Sequence, residues 1–199
     1  LDSLNATMRS LSGMHHAMTL LSQQELSAFA QEIERSHPSV KAILQLHLID
    51  VDQKHASESG FRAAGFPTFS ITASDHQGIL SPSADKPEYM SLNFIEPLTP
   101  GLARYLGLDF YSRSDLRMAI DRAIHSGEVT AAPAAPLDKD AFLLFKAVYK
   151  GFFAPETTKE RQTQVDGVYA LLIDAPAFVD DIIDGHDRLG LRLSTWNGT

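Results

Sequence analysis

Between Tyr89 and Tyr149 lies a helix marked at both ends and followed by strand-like runs, and this pattern constrains the fold most. Ser112 stands where an N-cap belongs, Asp115 follows three residues on, and Gly127 offers a left-handed stop, which predicts a helix over Arg113–Ser126. Leu116, Ala119, Ile120, Ala123 and Ile124 then form one apolar stripe. Glu128–Ala132 and Ala141–Lys150 read as strands joined through Pro133 and Pro136, with Leu143, Phe145, Ala147 and Tyr149 alternating onto one face. That face, opposed by a helix carrying Leu116 and Ile120, makes either a filled core or the lining of a small-molecule pocket. The stretch holds no nucleophile with a base and no metal-ligand cluster, which suits a sensing pocket better than an active site.

The remaining segments alternate helix and strand periods. Leu4, Met8, Leu11, His15 and Met18 are spaced by four and three, either a coiled-coil seam or an amphipathic helix packed on its own domain. Ser22-Gln23-Gln24-Glu25 fits a capping box for a second helix, which Pro38 stops. Val40–Ile49 alternates as a strand, a short helix follows Asp52, and Phe66–Ile71 reads as a strand entered through Pro67. Ser74–Glu88 reads as a loop, Tyr89–Glu96 as a strand and Leu102–Leu106 as a short helix ended by Gly107. Val165–Asp174 is a further strand, Asp174-Ala175-Pro176 opens a helix carrying Phe178, Val179, Ile182 and Ile183, and Leu191–Trp196 is a last strand. Strands with hairpin-like joins and few long helices between them indicate an α+β fold with a central antiparallel sheet.

Composition narrows the chemistry. A net charge of −8 over 199 residues argues against a general nucleic-acid binder, and the absence of cysteine excludes disulfides and thiolate metal sites. No apolar run is long enough to span a membrane. The start at Leu1 and the turn-like end at Trp196–Thr199 suggest an excised piece whose membrane segments lie outside it. Asp180, Asp181, Asp184, His186 and Asp187 are the best enzyme-like candidates, as ligands of a divalent metal in a hydrolase; the alternative is the solvated face of a surface helix. His15 and His16 diverge on a helix, and His47 lies on a mixed strand face. There is no G-x-S-x-G elbow, P-loop or G-x-G-x-x-G, so no catalytic residue and no cofactor is indicated.

Roughly from Pro38 to Asp184 the chain resembles the CHASE domain, the extracytoplasmic sensory module of plant cytokinin receptors and many bacterial histidine kinases and diguanylate cyclases. The matching pieces are Phe66-Pro67, Tyr89, Glu96-Pro97, Leu106-Gly107 with Asp109, Ser112, Arg117, Gly127, Pro133, Ala147-Val148-Tyr149, Glu160-Arg161 and Gly167. The resemblance implies N-terminal stalk helices used in dimerisation over residues 1–37 and a membrane-distal PAS-like ligand-binding domain over 38–174. A connecting helix and the first strand of an incomplete, smaller PAS-like domain would follow over 175–199. It further implies a periplasmic location in an inner-membrane protein whose kinase or cyclic-di-GMP output lies elsewhere. The implied ligand positions fall at Leu116, Leu137 and Phe145. In the plant receptors the first carries an aspartate that reads the purine-like head group, and the last a threonine. With Leu and Phe there, the expected ligand is a small molecule other than an adenine-type cytokinin. A ligand-free dimerisation module is the further alternative.

Overall fold

The computed structural model describes residues 2–13, 23–75, 77–135, 137–151 and 155–186. Two helices open the chain, α1 (Asp2–Gly13) and α2 (Gln23–Ser36). Strand β1 (Val40–Asp50) leads through a 3-10 turn into α3 (Lys54–Ala63), then a small ribbon of β2 (Thr72–Ser74) and β3 (Leu80–Pro82). Next come β4 (Glu88–Glu96), the single turn α4 (Pro100–Ala103) and α5 (Ser114–Ser126). The chain continues through β5 (Thr130–Pro133), β6 (Ala141–Tyr149), α6 (Thr158–Gln164), β7 (Val165–Asp174) and α7 (Ala175–His186).

The main sheet has the order β4-β1-β7-β6-β5, every pairing antiparallel. Counted along the chain, its strands lie 2-1-5-4-3, a PAS-like arrangement. Central β7 is buried at nearly every position, because helices cover both faces. One face packs Leu44, Leu46, Leu143, Phe145 and Ala147 against the α5 stripe. The other packs Ile43, Leu144, Val148, Tyr169 and Leu171 against Leu4, Met8, Leu11, Ala30 and Ile33 of α1 and α2.

That second face decides between the two readings of the N-terminal periodicity. Leu4, Met8 and Leu11 are buried on the domain's own sheet, so these three positions are not a free coiled-coil seam. His15, Met18 and the Ser22 capping box lie outside the described residues, as does the strand expected at Leu191–Trp196.

Three local expectations are corrected. Phe66–Ile71 is not a strand: Phe69 N–H bonds back to Phe66 O (2.9 Å) and the Phe69 ring stacks on Phe61 at 4.1 Å. Side chains of α3 take two of its other backbone bonds, since Arg62 Nε donates to Phe69 O (3.0 Å) and Glu58 Oε1 accepts from Ile71 N–H (2.9 Å), while Ile71 O accepts from Ser83 N–H (3.0 Å). The expected loop from Ser74 contains β3, turned back by Asp75, whose Oδ1 accepts from Gln77 and Ile79 N–H. Ser112 does not cap α5. The N-cap is Arg113, and the Ser112 hydroxyl instead accepts from Ser74 N–H (3.2 Å), joining β2 to the foot of the helix.

The far end of α5 follows its sequence signal. Gly127 has φ +71° and its N–H returns to Ala123 O, the left-handed stop that a side chain would strain. Distant groups serve the last carbonyls: Tyr149 Oη donates to Ile124 O (2.8 Å), Arg161 Nε to His125 O (2.8 Å) and Lys146 Nζ to Gly127 O. Two of these donors are cations, favoured at a helix C-terminus. Removing only the hydroxyl in Tyr149→Phe should leave the Ile124 carbonyl without its buried donor and cost about 1–2 kcal/mol. The urea midpoint should fall with an unchanged m-value, and an unaltered midpoint would show the bond to be dispensable.

Candidate functional site

The space between α5 and the sheet brings the three sequence-derived positions into one cluster. Leu116 and Phe145 are fully buried, and half-buried Leu137 packs against the same group. Leu116 faces inward because the stripe it begins is the only apolar side of α5, Met118 being 63% exposed on the other. Phe145 meets Phe110 edge to face, with ring centres 6.2 Å apart. It sits opposite Thr130 of β5 and Ala170 of β7, and Thr130 Oγ1 bonds to Ala119 O of α5 (2.7 Å). Leu116, Leu137 and Phe145 contribute only apolar surface to this packed interior and offer no side-chain hydrogen bond.

Leu137 rides on the turn between β5 and β6, where its N–H bonds to Ala134 O (2.8 Å). Lys41 of β1 fixes this turn, its Nζ lying 2.7 Å from Asp138 Oδ2 and 3.3 Å from Asp174 Oδ2. The Lys41 hydrogen bond holds the Asp138 carboxyl below the ordinary aspartate range. Asp174 also begins α7, accepting from Ala177 N–H (2.9 Å), and Ala175 N–H bonds to Asp140 O (3.0 Å). The Leu137 turn and the first turn of α7 therefore share one lysine and one backbone bond.

Asp115 lies in the first turn of α5, past the N-cap at Arg113. Arg113 grips it with two bonds, Nε–Oδ1 at 3.1 Å and Nη2–Oδ2 at 2.6 Å, which hold its carboxyl below the ordinary range. Burial pushes the Tyr111 phenol upward, and the nearby Asp121, to which it donates (2.9 Å), adds to the shift.

A polar centre that the sequence reading noted only as a matching position lies at the foot of α5. Asp109 is fully buried. Its Oδ1 accepts from Met90 and Tyr111 N–H (3.0 Å each), and its Oδ2 meets Ser83 Oγ (3.3 Å) and Lys86 Nζ. Lys86 and Lys54 both lie over the Tyr89 ring, at 5.4 and 5.0 Å from its centre. These contacts strap the 83–87 segment across the start of β4. The one cue in the sequence was an acidic residue between the apolar Leu108 and Phe110, where a charge needs a partner.

The acidic cluster does not assemble among the described residues. Asp180 and Asp181 are exposed, and no group of three His, Asp or Glu side chains there could hold a metal. The side chains of Asp184 and His186, and all of Asp187, lie outside that set. On α7 Phe178 is engaged as expected, edge-on to Phe142 at 5.3 Å, while Val179 and Ile183 remain 45% exposed. His47 is half-buried between Ser91 of β4 and Gly167 of β7. No described helix is long and apolar enough to cross a membrane.

A PAS-like sheet with helices on both faces and an apolar, helix-covered interior defines an α+β domain of PAS-like fold. The model of the CHASE domain family matches residues 20–199, and the chain belongs to that family, a sensory domain of signalling proteins found outside the cytoplasm. No curated protein matches the chain significantly.

Proposed function

We propose that this chain is the periplasmic ligand-sensing part of an inner-membrane histidine kinase or cyclic-di-GMP enzyme, with no catalysis of its own. The observation that carries the reading is the joining of Leu116, Leu137 and Phe145 in one interior cluster, with Leu137 on a turn tied through Lys41 and Asp174 to α7. A small, predominantly apolar molecule enters beside Leu137, the partly exposed member. It moves the turn and biases α7, the helix that leads out of the sheet. Such a ligand shifts the balance of two conformations only by its difference in affinity for them. Dimerisation through the N-terminal region belongs to the same reading, by positions other than Leu4, Met8 and Leu11.

The test is a thermal-shift titration. Adenine-type cytokinins are expected to give no stabilisation, because neither Leu116 nor Phe145 can bond a base edge. A saturable shift from them would overturn the assignment. An uncharged apolar ligand should stabilise the wild type, and Leu137→Glu should abolish that shift by placing a charge in its path.

A further inference from the structure

One cavity is not used by that reading. It has a volume of about 300 Å³ and lies between the turn after α3 and the residues around α4. Phe66, Pro67, Leu98 and Leu106 give it apolar walls. Two polar groups face a shortage of partners there. Among the described residues, Thr72 Oγ1 is buried without any hydrogen bond, and Arg104, exposed at the rim, pairs with no carboxylate. The Arg104 guanidinium rests on the Tyr105 ring, 4.7 Å from its centre, and spends one donor on Tyr105 Oη (2.6 Å). Among the described residues its remaining donors are unspent, in a planar fork suited to a carboxylate. The walls are fixed to each other, because Thr72 N–H bonds to Gly107 O (3.0 Å) and Asp109 N–H to Thr72 O (2.7 Å). The cavity is thus preformed, and at the lower end of volumes that hold small ligands.

We infer that this cavity binds a small monocarboxylate with an aromatic or branched apolar body, the carboxylate on Arg104 and the body against Phe66, Leu98 and Leu106. The site is separate from the one proposed above and stands or falls without it. The experiment is calorimetric titration of the whole chain with phenylacetate and isovalerate, with amide chemical shifts recorded alongside. At least one acid should bind saturably, shifting the amides of Thr72 and Leu106. Its neutral amide analogue, and the acid with Arg104→Gln, should each bind about tenfold more weakly or worse. Leu137→Glu should leave binding unchanged, which separates this site from the interior one. The inference is overturned if neither acid binds at millimolar concentration, if Arg104→Gln binds as the wild type does, or if the shifts gather at Leu116 and Leu137.

Discussion

Asp109→Ala is expected to lower the unfolding free energy by about 3–5 kcal/mol, the range for breaking a buried ion pair by deleting one partner. The substitution strips the N–H groups of Met90 and Tyr111 of their acceptor and leaves Ser83 and Lys86 facing an apolar void. Asp109→Asn is the control. It keeps an oxygen for the two backbone donors, and Lys86 is 25% exposed and can turn to water, so about 1.5–3 kcal/mol should be lost. Denaturant unfolding followed by circular dichroism gives both values. If alanine and asparagine cost the same, the backbone bonds are not what Asp109 contributes. If alanine costs under about 1 kcal/mol, the hub is not structural at all.

Gly107→Ala is the second large effect. Gly107 has φ +85°, and a Cβ there would stand 2.2 Å from the Ser70 carbonyl oxygen, a backbone atom that no rotamer change can remove. Left-handed geometry costs about 1–2 kcal/mol with a side chain, and forcing the strands apart lengthens two hydrogen bonds at about 0.5–1.5 each. Those bonds are Gly107 N–H to Leu92 O (2.8 Å) and Thr72 N–H to Gly107 O (3.0 Å). The expected total is about 2–5 kcal/mol, with amide exchange of Thr72 and Gly107 accelerated before that of β7. Wild-type protection at both amides in the variant would refute this account. Since Gly107 and Thr72 hold the walls of the cavity beside Arg104 together, acid binding there should fall as well.

The elements most legible in the sequence were those whose signals are local. The stripe from Leu116 to Ile124, the stop at Gly127 and the run Val165–Asp174 each follow from spacing and backbone preference within one segment. The opposition of Leu143, Phe145, Ala147 and Tyr149 to Leu116 and Ile120 was also legible, because a strand has one apolar face to offer and α5 one stripe to cover it. Ser112 misled because a hydroxyl before a helix is a capping signal unless a distant donor claims it, and Ser74 does. Phe66–Ile71 misled in the same way: its composition suits a strand, yet Glu58 and Arg62 of α3 bond to Ile71 N–H and Phe69 O, where a strand partner would have done so.

The candidate site divides along the same line. Leu116, Leu137 and Phe145 were nameable through the family resemblance, and the structure draws them into one cluster. The Lys41 clamp, the Asp109 hub and the cavity beside Arg104 were not, since each joins residues from three or more segments. Spacing within the chain carries no information about such meetings.

The sequence alone determined the α+β class, the helix stopped at Gly127 with its buried stripe and the apolar character of the interior it covers. Those properties come from short-range periodicity and backbone sterics. Only the tertiary structure decided that Leu4, Met8 and Leu11 serve the domain's own sheet, that Asp109 is a buried anchor, and that Arg104 meets no acid among the described residues. The same apolar spacing suits a partner helix or a sheet, and the same charge suits water or a buried lysine. Which one it meets is fixed only when the chain has folded and burial makes the alternatives costly.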